Sequence, residues 1–399
     1  MTSIFAAVEM APRDPILGLN EAFNAETNPN KVNLGVGVYF GDDGKIPLLA
    51  AVKAAEKARL ETQPARGYQP IEGIAAYNNA VQDLLFGKGS ELLAAGRAAT
   101  FECLGGTGAL KVGADYLRRL LPDAKVYISD PSWENHRALF ESAGFVVENY
   151  AYYDAATRGV NFAGMKAALA AMPAKSVVVL HACCHNPTGA DLTAAQWKEV
   201  VGLVQQRDLV AFIDMAYQGF ADGIKPDAVA LDLFSASGLQ FLVSSSFSKS
   251  FSLYGERVGA LTIVTASKDE SARVVSQVKR VIRTNYSNPP THGGAVVAAV
   301  LSSAELRQQW EDELAGMRDR IRAMRNSLVE KLAANGAQGF EFIKVQRGMF
   351  SYTGLTAAQV ERLKSEFGIY AVSTGRICVA ALNTRNIDYV AKAIATVIK

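Results

Sequence analysis

An α/β fold around a mostly parallel sheet is what this chain predicts, on three observations. Short apolar runs rich in β-branched residues alternate with helix-length segments through the middle of the sequence. Most of these runs are continuous rather than alternately polar and apolar, the pattern of strands buried on both faces. At 399 residues the chain also exceeds what a single hydrophobic core usually serves, so two domains are expected.

The strands are expected at residues 126–130, 176–182, 209–214, 241–246 and 260–264. A helix is expected over 110–121, behind the turn Gly105-Gly106-Thr107-Gly108. After the last strand, Leu306, Trp310, Leu314, Met317, Ile321, Met324, Leu328 and Leu332 recur at steps of three and four. They share one face of a long helix, and such a stripe packs into a core. Ser302-Ser303-Ala304-Glu305 reads as its capping box and Asn335-Gly336 as its stop. Beyond it, 340–344 and 348–352 read as strands and 357–367 as a helix. The change between domains is placed within the long helix.

Bulk composition excludes some functions. Apolar residues make up 49% and charged residues 20%, as in ordinary globular proteins. Lys+Arg at 41 against Asp+Glu at 39 leaves a net charge of +2, which gives no electrostatic reason to expect nucleic acid or a membrane as partner. No apolar run approaches the roughly 20 residues that span a bilayer. Glu9, Arg13 and Asp14 interrupt the N-terminus early, so it makes a poor secretory signal. Four cysteines, two of them the adjacent Cys183 and Cys184, make no disulfide scaffold, and a reduced, cytoplasmic setting is expected.

Chemistry is expected where strands end, because ligands of open α/β sheets sit outside the carboxyl ends of the strands. Gly105-Gly106-Thr107-Gly108 opens a helix and could let backbone N–H groups approach a phosphate, or could be a structural turn. It is not a dinucleotide fingerprint, which needs a strand before it and an acid after it. His185-Asn186-Pro187-Thr188-Gly189 could present an amide donor or be a plain turn. The nearby His181, Cys183, Cys184 and His185 match no structural zinc spacing, and no metal is expected. Asp214 ends an apolar strand and needs a positive or donating partner, or else caps a helix. Serines surround Lys249 in Ser244-Ser245-Ser246-Phe247-Ser248-Lys249-Ser250, with Arg257 following. That set suits a phosphate beside an amine nucleophile. Arg283 and Arg376 could each take a carboxylate or sit in a surface ion pair.

Together these segments resemble the aspartate and aromatic aminotransferases, pyridoxal-phosphate enzymes of fold-type I. The resemblance runs from Asp14-Pro15-Ile16-Leu17-Gly18-Leu19 to Gly375-Arg376. Its most specific pieces are Cys184-His185-Asn186-Pro187-Thr188-Gly189, Ser246-Phe247-Ser248-Lys249 and Tyr254-Gly255-Glu256-Arg257-Val258-Gly259. It implies a large domain with a mostly parallel seven-stranded sheet and a smaller α+β domain. Residues 1–45 would form an N-terminal arm and part of the small domain, 46–315 the large domain, and 316–399 the rest of the small one.

The resemblance also assigns roles. Lys249 would hold pyridoxal 5′-phosphate as a Schiff base and move the substrate proton. Asp214 would pair with the pyridine nitrogen, with His136 behind it. Asn186 and Tyr217 would donate to the ring oxygen, and Trp133 would stack on the ring. Gly106, Thr107, Ser246, Ser248 and Arg257 would hold the phosphate. Tyr68 would reach that phosphate from the other subunit of a homodimer with shared sites. Arg376 would bind the α-carboxylate near Gly37, and the partner copy of Arg283 a side-chain carboxylate. The substrates would be amino acids and 2-oxo acids, 2-oxoglutarate among them. Phe40 and Ile46 would border the pocket where aspartate-selective members resemble one another in carrying Lys and Thr. Two apolar residues there favour a ring. The stretches 246–257 and 347–355 also resemble bacterial tyrosine (aromatic) aminotransferases, whereas Thr107 and Asn288 match the aspartate type.

Overall fold

The computed structural model describes residues 3–11 and 16–399. Arg13, Asp14 and Pro15, which entered the reading of the N-terminus, lie outside the described residues. Seven strands form the central sheet: β1 Ala98–Leu104, β2 Lys125–Asp130, β3 Val146–Ala151, β4 Val177–His181, β5 Val210–Met215, β6 Phe241–Ser246 and β7 Val258–Val264. Their spatial order is β1-β7-β6-β5-β4-β2-β3. The pairs from β3 across to β6 are parallel. β7 runs antiparallel to both β6 and β1. The expected α/β sheet is therefore present, mostly parallel and with both faces buried.

Two of these strands were not anticipated. β1 carries Thr100 and Glu102 within its apolar run, and both are buried. Thr100 pairs its hydroxyl with that of Thr262 at 2.9 Å. Glu102 accepts the Ile74 N–H at 3.1 Å, and burial raises its carboxyl to about 7. β3 lies at the sheet edge, and its exposed Val146 and half-buried, charged Glu148 hide the strand from a search for apolar runs.

The helices differ from expectation at their ends. α1 spans Gly105–Leu120, so the glycine segment is its first turn rather than a loop before it. α2 spans Lys268–Asn285 and α3 spans Ala304–Ala334 as one helix of 31 residues. Ser303 alone caps α3, accepting the Leu306 N–H, in place of the Ser302–Glu305 box. Asn335 and Gly336, at φ +83°, end it as expected. The apolar stripe from Trp310 to Leu332 is buried, and Leu306 is half-buried. Trp310 donates to the Ser250 carbonyl at 2.7 Å and stacks on Phe251, which ties α3 to the segment after Lys249.

Residues 340–344 are not a strand: Phe342–Val345 is a helical turn. A run of five residues, Phe340 to Lys344, is too short to separate these two states. β8, Phe350–Tyr352, is shorter than expected because Gly348 sits at φ +77°. β8 pairs antiparallel with β9, Arg376–Cys378. α4, Ala357–Phe367, matches expectation and carries a complete capping box at Thr356 and Gln359. Val32–Asn33 pairs in parallel with Ile369–Tyr370, so an early segment joins the C-terminal part. No helix among the described residues is long and apolar enough to cross a membrane.

Candidate active site

A cavity of about 220 Å³ opens at the carboxyl ends of β4, β5 and β6, against the N-terminus of α1. Gly106, Thr107, Trp133, Asn186, Asp214 and Tyr217 line it on one side of the chain's order. Ser246, Ser248, Lys249, Arg257, Arg376 and Gly37 complete the set. Residues from seven separate stretches of sequence are thus brought to one place.

Lys249 lies at the centre of this chemistry. Its Nζ is 4.9 Å from the centroid of the Tyr217 ring. Burial pulls the ammonium down to about 8, the Asp214 charge opposes that, and Arg257 adds to it. A useful fraction of free amine therefore exists near neutral pH.

Asp214 stays ionised for a different reason. Burial alone would raise its carboxyl, but the His136 hydrogen bond and neighbouring charges hold it below its usual value. His136 Nε2 donates to Oδ2 at 3.0 Å. A line of groups behind it fixes that donor. The Asn186 N–H donates to His181 Nδ1 at 3.1 Å, and burial takes His181 down to about 3. A neutral imidazole accepting at Nδ1 carries its proton on Nε2. That proton faces Ser132 Oγ and His136 Nδ1, at 3.5 and 3.4 Å. Ser132 Oγ lies 2.9 Å from His136 Nδ1, which leaves His136 its Nε2–H for Asp214.

An anion cradle occupies the opposite end. The residue before α1, Leu104, offers no side-chain cap; the Gly105 N–H goes to the Arg257 carbonyl at 3.0 Å, and the N–H groups that follow at the helix start are left without a side-chain cap. Arg257, held at φ +55°, donates through Nη1 to the Tyr254 carbonyl at 2.8 Å and to Ser248 Oγ at 3.4 Å. A Cβ at Gly105, itself at φ +69°, would lie 2.5 Å from Arg257 Nη2, and one at Gly106 would lie 3.2 Å from Ser246 Cβ. Any side chain there would fill the cradle.

Arg376 forms the third corner. It is buried, donating to Asn186 Oδ1 at 3.2 Å and to the Gly35 carbonyl at 2.7 Å. Its Nε is buried without a partner among the described residues, and no carboxylate pairs with it there. The Phe350 ring covers the guanidinium at 4.4 Å. Burial pushes the Tyr217 hydroxyl above its usual range despite Arg376, so Tyr217 remains a donor.

The set fits pyridoxal phosphate: an open anion cradle for its phosphate, an ionised acid for its ring nitrogen, and a partly neutral lysine between them. It does not fit a metal. Cys183, Cys184 and Asp227 come within 4.8 Å of one another. Both Asp227 oxygens already accept backbone N–H groups, from Gly219, Ala221, Asp222 and Gly223. The hydrogen bond with Cys184 pushes the Cys183 thiol up, and burial pushes Cys184 to about 11.

Four expected residues are not brought into the cavity. Tyr68 is 95% exposed. Arg283, near the end of α2, donates to Ser287 Oγ at the surface. Ile46 is exposed, and Phe40 lines a separate cavity with Phe23 and Tyr389. Conversely, Ile16, Leu110, Tyr254 and Phe350 line the site without having been singled out. Tyr254 stood in a quoted motif, where a role was assigned only to Arg257; its hydroxyl accepts the Tyr39 N–H at 2.9 Å. Phe350 stood in the stretch 347–355, which was quoted for its resemblance and given no role at the site.

Comparison with known proteins agrees with this geometry. The sequence profile of the family "Aminotransferase class I and II" matches residues 29–394. The chain is 70% identical to an aspartate aminotransferase of Pseudomonas aeruginosa, over 99% of this chain and all of that one. It is 50% identical to the aromatic-amino-acid aminotransferase of Escherichia coli, over 99% of this chain and all of that one. Among solved structures, an aromatic-amino-acid aminotransferase from Burkholderia pseudomallei, covalently bound to pyridoxal phosphate, superposes with a TM-score of 0.98 at 70% identity, covering all of both chains. The chain belongs to the class I and II aminotransferases.

Proposed function

We propose that this protein moves the α-amino group of aromatic amino acids, tyrosine and phenylalanine, onto 2-oxoglutarate in a ping-pong cycle, with aspartate as a further donor. The observation that carries it is the pairing of a buried, partly neutral Lys249 beside ionised Asp214 with a buried Arg376 that lacks a carboxylate. Bound pyridoxal phosphate supplies an electron sink for the pair of electrons left when the substrate Cα loses its proton.

Each residue then has a task. Lys249 Nζ holds the cofactor and carries the proton to and from the substrate Cα. Asp214, oriented by His136, keeps the pyridine nitrogen protonated. Asn186 and Tyr217 donate to the ring oxygen, and Trp133 lies against the ring. Gly106, Thr107, Ser246, Ser248 and Arg257 hold the phosphate. Arg376 takes the α-carboxylate beside Gly37. Four free, buried cysteines accord with a cytoplasmic setting.

Aromatic donors are favoured because Ile16, Leu110 and Phe350 add apolar wall to the cavity. Thr107 and the 70% identical relative's name favour a second reading, aspartate aminotransferase. Measuring kcat/KM for phenylalanine, tyrosine and aspartate against 2-oxoglutarate separates them. The aromatic donors should match or exceed aspartate. An aspartate advantage of about a hundredfold, about 2.7 kcal/mol, would establish the second reading.

We further propose a homodimer in which Tyr68 and Arg283 serve the neighbouring site, since neither reaches the cavity of its own chain. Lys249→Ala chains and Arg283→Ala chains, each poor with dicarboxylic substrates alone, should regain activity when their subunits are exchanged. One of the two sites in each mixed dimer then has both residues. No recovery after exchange, or an active monomer in sedimentation, would contradict the arrangement.

A further inference from the structure

A buried arginine that the reaction does not require lies one layer behind the carboxylate site. Arg325, on α3, is 1% exposed, and no acidic side chain pairs with it among the described residues. Its guanidinium is satisfied by oxygen atoms alone. Nη1 donates to Ser351 Oγ at 2.9 Å and to the Ile343 carbonyl at 3.4 Å. Nη2 donates to the carbonyls of Gly348 at 2.7 Å and Phe350 at 2.5 Å. Burying a charge is costly unless every donor finds an acceptor, so this site retains arginine for its fork of N–H groups.

The segment it gathers forms one wall of the active site. The Phe350 ring covers the Arg376 guanidinium at 4.4 Å and meets the Tyr217 ring edge-on at 6.0 Å. A Cβ at Gly37 would come within 2.7 Å of the Phe350 ring, so the ring is wedged against the chain segment at Gly37, beside the carboxylate site. The same segment rests on the turn that carries Asn186. Arg347 N–H donates to the Gly189 carbonyl at 2.7 Å, and a Cβ at Gly348 would lie 2.4 Å from Cys184 Cβ. Two of the three neighbours of the Arg376 guanidinium, Phe350 and Asn186 but not the Gly35 carbonyl, are therefore set by a segment whose carbonyls converge on Arg325.

We infer that Arg325 is a positioning residue for substrate carboxylates: it holds segment 343–351 so that Phe350 and Asn186 fix the orientation of Arg376. Arg325 touches neither substrate nor cofactor. The inference rests on the proposed role of Arg376, and its test must separate the two.

The test uses the cofactor-loaded enzyme with Arg325→Lys, Phe350→Leu and Arg376→Lys. Arg325→Lys keeps the charge and loses the fork. It should raise KM for both amino and oxo acids about tenfold or more, with kcat changed far less. It should weaken binding of unreactive succinate in parallel, while cofactor content and its absorption spectrum stay as in the parent. A loss of stability alone would lower the amount of active enzyme and leave KM unchanged. Phe350→Leu leaves Arg325 and its carbonyl partners in place, and it should give the same KM-selective change; it carries the test if Arg325→Lys does not fold. Unchanged KM and succinate affinity in the folded variants would overturn the inference. If Arg376→Lys also leaves succinate binding unchanged, the role of Arg376 fails first, and the role of Arg325 falls with it.

Discussion

Replacing Lys249 with alanine is expected to lower kcat by about 10⁴-fold or more while leaving the fold intact. The side chain ends in a cavity and makes no hydrogen bond that holds two elements together, so its removal costs little packing. It leaves the reaction with no group to move the proton at the substrate Cα. Transamination should vanish, and borohydride should no longer fix pyridoxal phosphate to the chain. A folded variant within tenfold of the parent rate would remove Lys249 from the mechanism. The pH dependence follows from burial. Lys249 loses its proton at about 8 rather than at the usual lysine value. Below 8 the amine is mostly protonated and unreactive, and above it mostly free. Uptake of pyridoxal phosphate by the cofactor-free protein should therefore speed up about tenfold per pH unit below 8 and level off above it. A rate still climbing at pH 10 would mean that burial does not depress this lysine.

The parts of the fold that carry Asp214 and Lys249 were the parts most legible in the sequence. β5 is apolar up to Asp214 and β6 opens with Phe241, Leu242 and Val243 before its serines, with both faces of each covered, and a functional residue at or just past the end of such a run stands out. β1 and β3 escaped for opposite reasons. β1 places a buried Glu102 inside the sheet, and β3 exposes apolar Val146 at an edge. The start of α1 was expected more than one helical turn too late, at residue 110 instead of Gly105, because glycines at a helix start look like a loop. Within the site, residues recognised by chemistry were found, and residues acting by shape were not. Phe350 is one phenylalanine among 18 until the fold lays it over Arg376. Arg325 reads as a solvated charge on a helix, since its partners are mainly backbone carbonyls and leave no trace in the side-chain sequence. Tyr68 and Arg283 are a different case: no single chain brings them to the cavity.

Replacing Arg376 with alanine should reduce kcat/KM for every amino and oxo acid by about 10²-fold or more, equivalent to about 3 kcal/mol. Three features set that size. The guanidinium is buried, so a carboxylate bound to it meets little competition from water. Asn186 Oδ1 and the Gly35 carbonyl already hold two of its nitrogens, so little side-chain entropy is lost on binding. Its unpartnered Nε marks donor capacity that the protein itself does not use. The loss should fall on carboxylate recognition and spare the rest. Cofactor affinity and absorption should stay near the parent values, because the anion cradle and Asp214 are untouched. The half-reaction of an amine without a carboxylate, such as phenylethylamine, should be slow in both proteins and nearly equal between them. Single-turnover absorbance measurements with phenylalanine and phenylethylamine on parent and Arg376→Ala enzyme give the comparison directly. If phenylethylamine is slowed as much as phenylalanine, then Arg376 holds the architecture of the site rather than the substrate, and the carboxylate must be bound elsewhere.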